Sequence, residues 1–288
     1  MVADALRSVL NQTHTNLDII VLDNHSADDT EQIVGQVALA DVRIRYVRHQ
    51  ENIGMAGNFN AGITLARGEF IMVLCADDIL EPDCVQELCA ALSSQPEAVL
   101  VSCGRLMISV DLKPLGVVRA RARREMVEGK LLIRECFVWG NRMGEPSAVM
   151  FRREACGRGF NGDYHQLIDM EMWFHLLEKG AAIFLPQPLS RIRRHGGQWT
   201  QTNIKNGRLI EDKQRMFRLV APTLADSLTI QEKILWDVRM ASSVIRWRSA
   251  GGTVDVRKIA EVFFRPAFNG ALLIVKFAGL LIWFFKKK

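Results

Sequence analysis

Two adjacent carboxylates, Asp77 and Asp78, stand just past a short apolar run, Phe70 to Leu74. The run is brief and β-prone, so it reads as a strand buried on both faces. Pro82 then suits the first turn of a helix, where its missing N–H would have no partner anyway. Strand, carboxylates, helix: this order puts Asp77 and Asp78 at the carboxyl edge of a sheet, where open α/β sheets bind ligands. Carboxylates there can hold a hard divalent cation, and the cation can hold phosphates. Asp78 can equally cap the following helix, and the residue types admit both roles.

Other chemistry-bearing residues fall in turns. Asp23-Asn24-His25-Ser26 follows a second apolar run, Leu17 to Leu22. A loop with Asn52, Gly54, Gly57 and Asn58 allows close backbone approach to a ligand or a tight turn. Asp169 opens a helical pattern from Ile168 to Glu178, and alone it reads as a carboxylate facing the helix dipole. Cations cluster at Arg119 to Arg124, Arg191 to Arg194 and Lys286 to Lys288. Such clusters suit phosphate or an anionic membrane surface, or are solvated charge runs.

The elements that position these residues alternate. Val2, Leu6, Val9 and Leu10 have helical spacing, and Leu17 to Leu22 is a strand. A helix from Thr30 through Val37 is capped by Ser26 or a nearby Asp, and Ile44 to Val47 is a third apolar run. Asn58 to Ala66 is helical, then comes the central strand. Val85 to Leu92 reads as a helix, Ala98 to Ile108 as a strand, and Arg119 to Arg134 as irregular, then helical. Ser147 to Phe151 and Ile183 to Leu185 are further strands, and Ile204 to Ser249 is helical throughout. Repeated helix–strand alternation predicts an α/β fold with a doubly wound, mainly parallel sheet and a helical C-terminal region.

The 288 residues suffice for one large domain or a domain with an appendage. Hydrophobic residues at 49% support a sizeable core, and the formal net charge is +5. The six cysteines show no C-x-x-C pair and no zinc-finger spacing, so they read as free thiols in a reducing compartment. Met1 to Leu10 carries Asp4 and Arg7 and reads as no signal peptide. Ala271 to Phe285 is almost wholly apolar around Lys276 and precedes three lysines. It is short of the about 20 residues a span needs. It reads as a helix in the membrane interface, with a buried docking helix or a tilted span from Phe263 as alternatives.

Taken in order, these pieces resemble the family-two glycosyltransferases of GT-A fold. Ala5-Leu6-Arg7-Ser8-Val9-Leu10-Asn11-Gln12-Thr13 resembles the end of the family's first helix, S-[VI]-L-x-Q-T. Leu17 through Asp28 resembles its strand and D-[DN]-x-S-x-D turn. Asn52-Ile53-Gly54 through Gly62, with Ala66 to Ile71, resembles N-x-G…G…A-x-G-[EK]-[YF]-[IV], and Ala76-Asp77-Asp78 sits where the family keeps D-x-D. The match covers roughly residues 3 to 200, and its strength lies in the ordered set.

The resemblance implies sugar transfer from a nucleoside diphosphate sugar to an acceptor hydroxyl. It implies that Asp23 and Asn24 contact the base, and that Asn52, Gly54, Asp78, Arg194 and His195 serve the donor. Asp77 would ligate Mg²⁺ or Mn²⁺ bridging the diphosphate. Leu167-Ile168-Asp169-Met170-Glu171-Met172-Trp173 resembles the family's E-D-x-D-L-W segment. There Asp169 would be the general base, and a single such base implies inversion. The chain departs from the family in three ways: it begins inside the first helix, without the strand that opens the family pattern, Asn24 replaces an acidic residue, and Cys75-Ala76 replaces a further carboxylate. The absent strand leads us to expect a native start upstream of Met1.

The expected organisation is a transferase domain over 1–200, a helical extension over 201–262 and a membrane-associating tail over 263–288. The expected enzyme is inverting and metal-dependent. It acts on a glycan or lipid-linked acceptor at the inner face of the cell membrane, in cell-surface polysaccharide biosynthesis. The competing reading is a scaffold that binds nucleotide sugar or a partner without turnover. No G-x-G-x-x-G follows any strand, which sets aside a nicotinamide enzyme, and no motif supports nucleic-acid binding.

Overall fold

The computed structural model describes residues 1–224 and 226–251, and the apolar tail lies outside them. Among the described residues no helix is long and apolar enough to cross a membrane. The chain forms two compact units. The first comprises Met1–Ile133, Asn141–Tyr164 and Ile168–His195, and the second Arg134–Gly140, His165–Leu167 and the residues from Gly196 onward.

The first unit is an α/β structure. It opens with α1 (Val2–Leu10), β1 (Ile19–Asp23), α2 (Thr30–Ala40), β2 (Ile44–Arg48) and α3 (Gly54–Leu65). Then follow β3 (Phe70–Met72), β4 (Ile79–Leu80), α4 (Cys84–Ser93), β5 (Ala98–Ile108), β6 (Pro114–Val118) and β7 (Glu125–Val127). The element α5 (Gly129–Trp139) runs into the second unit, and β8 (Val149–Arg152), α6 (Ile168–Leu177) and β9 (Ala181–Arg193) complete the first. The strands β1 and β2 pair in parallel as one sheet. The other sheet has the order β3-β8-β5-β9-β4, with β6 beside β5 and β7 beside β9. Its longest ladder, β5 with β9, is parallel, and the shorter strands β3, β4, β6, β7 and β8 join it antiparallel.

Helix α4 covers this sheet because Cys84, Leu88 and Leu92 recur on one face and are fully buried. They pack with Val101, Met150 and Ile183 of β5, β8 and β9. On α6, Trp173 is fully buried against Phe151 and Phe160.

Several elements depart from the sequence expectation. The central strand is shorter than Phe70 to Leu74, and only Ile71 in it is buried. The cause is its place in the sheet. Strand β3 pairs with β8 alone and β1 with β2 alone. Both line a cavity of about 880 Å³, with Ile19, Ile20 and Leu22 on one side and Phe70 and Met72 on the other. Phe70 and Met72 therefore keep one flank open. Helix α3 starts at Gly54, four residues earlier than predicted, where Gly54 takes φ +77°. Ser26 does not cap α2; its amide donates to Asp23 (2.7 Å), and Asp28 accepts from the Thr30 amide instead (3.1 Å). Pro82 stands before the N-cap Asp83 of α4, not inside its first turn. Asp78 does not cap that helix either, since two-residue β4 intervenes.

The second unit contains α7 (Trp199–Lys205), α8 (Arg208–Leu224) and α9 (Ile230–Ser249). Ile210, Met240, Val244 and Trp247 form its buried cluster. The fully buried carboxylate of Asp212 accepts from the amides of His165 (2.8 Å), Gln166 (2.5 Å) and Leu167 (2.9 Å). Half-buried Lys213 donates to Ser243 Oγ (2.7 Å), and burial lowers its pKa to about 7.

One side chain ties α1 to the turn that follows the acidic pair. Gln12, 5% exposed, donates to the carbonyls of Ser8 (3.0 Å) and Glu81 (2.7 Å) and accepts from the Val85 amide (2.9 Å). Removing it strands buried backbone groups, which costs about 1–3 kcal/mol each. Gln12→Ala should therefore lower unfolding stability by about 2–3 kcal/mol in a urea titration, with an unchanged m-value. A loss below half that figure would show that water replaces the amide.

Candidate active site

The acidic pair lies where β3 ends and the chain turns into β4. Asp77 is partly exposed, and its Oδ2 stands 3.1 Å from His195 Nε2. Asp78 is 3% exposed and accepts from the Arg193 amide (3.0 Å). Burial raises the Asp78 carboxyl to about 7; the Asp77 charge adds to this, and the Ser147 hydroxyl and Arg193 amide oppose it. Ser147, fully buried, also accepts from the Cys75 amide (2.9 Å). The ligand atoms of Cys75, Asp77 and Asp78 lie within 4.8 Å of one another. Burial pushes the Cys75 thiol well up, with Asp78, Asp77 and Asp169 adding to it. The two carboxylates of the group offer oxygen donors, which suit a hard ion such as Mg²⁺ or Mn²⁺.

The basic segment closing β9 splits by direction. Arg193 is 3% exposed and turns inward. Its guanidinium donates to the carbonyls of Asp77 (2.8 Å) and Val110 (3.1 Å) and to the Asp4 carboxylate (3.1 Å). It holds the site rather than facing a ligand. Arg194 turns outward, half exposed, and donates to Glu145 Oε1 (2.9 Å). Buried Arg105 donates to Glu145 Oε2 (2.6 Å). Burial alone would raise the Glu145 carboxyl, but Arg105 beside it holds it below the usual range.

Asp169 stands in the first turn of α6, beside this network. Its Oδ2 accepts from Asn141 Nδ2 (3.0 Å) and its Oδ1 from the Met170 amide (2.7 Å). Asn141 also exchanges hydrogen bonds with the backbone of Gly144, whose carbonyl accepts from Trp173 Nε1 (3.2 Å). Gly144 has φ +104°, and a Cβ there would stand 2.6 Å from Arg105 Nη1, so the turn needs glycine on both counts. Burial raises Asp169 to about 7; Glu145 adds to it, while the Met170 amide and Arg105 oppose it.

A second group gathers at the carboxyl end of β1. Asn24 donates to Asn52 Oδ1 (2.9 Å) and the Gly54 carbonyl (3.2 Å) and accepts from the Ile53 amide (2.9 Å). The structure thus joins the predicted Asn24, Asn52 and Gly54. The Asp23 side chain is fully buried, accepting from the Ser26 amide and Tyr46 hydroxyl (2.7 Å) and forming an ion pair with Arg48 (3.4 Å). Burial would raise it, yet these donors hold it below the usual carboxylate range. Sequence reasoning missed Arg105, Asn141, Glu145 and Ser147. The one available signal was the loop glycine and proline at Gly144 and Pro146, which mark a turn without saying what it holds.

The family model for glycosyl transferase family 2 matches residues 1–160. The chain belongs to that family. This family-2 glycosyltransferase is 31% identical over 243 residues to an uncharacterised protein of Mycobacterium tuberculosis, covering 80% of this chain and 75% of that one. Among solved structures it is similar to Staphylococcus aureus TarS in complex with UDP-GlcNAc, at 15% identity and a TM-score of 0.57, over 85% of this chain and 77% of TarS. It is also similar to the mannosyltransferase PcManGT of Pyrobaculum calidifontis in complex with GDP-Man and Mn²⁺, at 17% identity and a TM-score of 0.55, over 100% of this chain and 84% of that one. Both are GT-A structures, and the expected fold class holds.

The raised pKa of Asp169 carries a stability prediction. An unfolded aspartate titrates near about 4. The folded state therefore holds an extra proton between about 4 and 7, and stability falls as pH rises through that window. In metal-free buffer the melting temperature of this glycosyltransferase should fall between pH 5 and pH 7. Asp169→Asn should flatten part of that fall. An identical pH dependence in the variant would show that Asp169 titrates as an ordinary carboxylate.

Proposed function

We propose that the chain is an inverting, divalent-metal-dependent transferase. It moves a sugar from a nucleoside diphosphate sugar to a hydroxyl of a glycan or lipid-linked acceptor. We place it at the cytoplasmic face of the cell membrane, in cell-surface polysaccharide biosynthesis. The observation that carries the chemistry is the pairing of Asp77, presented beside His195, with Asp169, a carboxylate raised to about 7 and aimed by Asn141. The nucleotide sugars bound by TarS and PcManGT support a donor of this class, and Mn²⁺ in the latter supports a cation.

In this reading Asp77 holds Mg²⁺ or Mn²⁺, with Asp78 behind it shaping the turn. The bound cation supplies charge stabilisation to the departing diphosphate. Arg194 and His195 add positive charge and a hydrogen-bond donor on the same side. Asp23 fixes the turn that carries Asn24, and Asn24, Asn52 and Gly54 form the nucleoside side of the pocket. Asp169 takes the proton of the acceptor hydroxyl. A base near neutrality does this well, because a large fraction is free of its proton at neutral pH and yet binds one strongly. A single such base implies inversion at the anomeric carbon.

One observation favours the alternative of binding without turnover. The nucleoside-side cluster sits on the β1–β2 sheet, which the open cavity separates from β3 and the acidic pair.

Thermal unfolding with UDP, TDP, GDP and CDP, each with and without Mn²⁺, tests the proposal. A ligand at about 100 times its Kd adds about 2.7 kcal/mol. One nucleotide should give a Mn²⁺-dependent shift, and Asp77→Asn should lose the Mn²⁺-dependent part. No shift with any nucleotide would favour a scaffold that binds a partner without turnover. For the base, Asp169→Asn should keep the nucleotide shift and lose transfer by roughly 100- to 10,000-fold. Full transfer in that variant would remove Asp169 from the mechanism.

A further inference from the structure

Strand β6 is apolar and exposed at every one of its five residues. It pairs with β5 alone. Between β5 and the end of β6 the chain exposes Val110 (49%), Leu112 (45%), Leu115 (59%), Val117 (47%) and Val118 (42%). An apolar edge strand open on both faces invites a partner, because burying such a surface is favourable and its outer backbone groups want donors and acceptors. The surrounding charge says which partner. Residues 110–124 carry Lys113, Arg119, Arg121, Arg123 and Arg124 against the single carboxylate Asp111. Lys113, Arg119, Arg123 and Arg124 are exposed, whereas Arg121 packs over Phe184 and pairs with Glu125.

A second copy of the chain is a poor occupant. An antiparallel pairing of β6 with itself about Gly116 sets Lys113 opposite Arg119 at both ends, and like charges directly opposite are destabilising. An anionic bilayer is a good one. Apolar side chains at a hairpin tip can enter the interface while flanking cations meet lipid phosphates.

We propose that the β5–β6 hairpin docks this enzyme on an anionic lipid surface. The inference rests on the membrane-face reading above and names the part of the described chain that makes the contact. Its geometry also bears on the site. The Arg193 guanidinium bonds the Val110 carbonyl at the hairpin turn (3.1 Å) and the Asp77 carbonyl (2.8 Å). The Arg194 amide donates to the Ile108 carbonyl at the end of β5 (2.8 Å). A docked hairpin therefore holds the acidic pair one side chain away from the lipid-facing turn, where a lipid-linked acceptor would present its hydroxyl.

The test uses the full chain with an environment-sensitive fluorophore on Leu115→Cys, the unsubstituted chain taken through the same labelling giving the background. Vesicles contain phosphatidylglycerol with phosphatidylcholine, or phosphatidylcholine alone. The fluorophore should shift to the blue on the anionic vesicles and not on the neutral ones. Arg119→Glu with Arg123→Glu should weaken vesicle binding at least 10-fold and leave the melting temperature in place. Sedimentation with anionic vesicles but no spectral change at position 115 would overturn the hairpin contact while sparing the membrane-face reading. No sedimentation at all would overturn both. A blue shift without lipid that grows with protein concentration, alongside a dimer in light scattering, would assign the strand to a second copy.

Discussion

Burying a guanidinium is the constraint from which the arrangement of the first unit follows. Arg193 sits 3% exposed at the end of β9. A charge taken out of water must be repaid by hydrogen bonds of good geometry and by an opposite charge. The protein supplies both from three distant places: the carbonyl before Asp78, the carbonyl at the β5–β6 turn and the Asp4 carboxylate of α1. Its backbone amide then donates to Asp78. The turn carrying the acidic pair is thus held by one residue through two bonds, and two more anchor that residue to the β5–β6 turn and to α1. Asp78 can be buried beside Asp77 because the Arg193 amide and Ser147 hydroxyl partly offset the cost, and its carboxyl still rises to about 7. The buried member of the pair builds the turn, which leaves the partly exposed member available for a ligand.

Much of this was legible in the sequence, and the limits have physical causes. Strong periodicity located α1, α4, β5 and α6 within a residue or two. The polar turns after β1 and β3 drew notice because each follows a short apolar run that stops at a carboxylate. Arg105, Glu145 and Asn141 were not legible. Their partners lie 40, 49 and 28 residues away, and no local pattern encodes such a pairing. The two-residue β4 and the exposed β6 escaped for opposite reasons. One is too short to show alternation, and the other has no buried face to alternate with.

The reading of Phe70 to Leu74 as doubly buried shows how a sound rule meets a particular topology. An apolar run between helices belongs inside a sheet, and inside a sheet both flanks are paired. Here β3 has one paired flank, and its other side meets the cavity that β1 also lines. The composition still carries the signature of an interior strand, since Phe70, Ile71, Met72, Val73 and Leu74 are all apolar, as are Ile19, Ile20 and Leu22 across the gap. Sequence therefore reported the environment these residues are built for, while burial reports the one they have.

The electrostatics around Asp169 explain why Glu145 belongs beside it. Arg105 lowers the proton affinity of Asp169, because a nearby cation favours the charged form. Glu145 accepts from the Arg105 and Arg194 guanidinium groups at once. In doing so it spends their charge on itself and adds its own negative charge near Asp169. The two carboxyls differ accordingly: Arg105 holds Glu145 low, while burial first and the Glu145 charge second raise Asp169 to about 7. Two acids in one small site are thereby driven apart in proton affinity, which is how a fold separates an ion-pairing carboxylate from one that can exchange a proton near neutrality. Asn141 completes the division by aiming Asp169 through a neutral donor, which orients the carboxylate without adding a further positive charge.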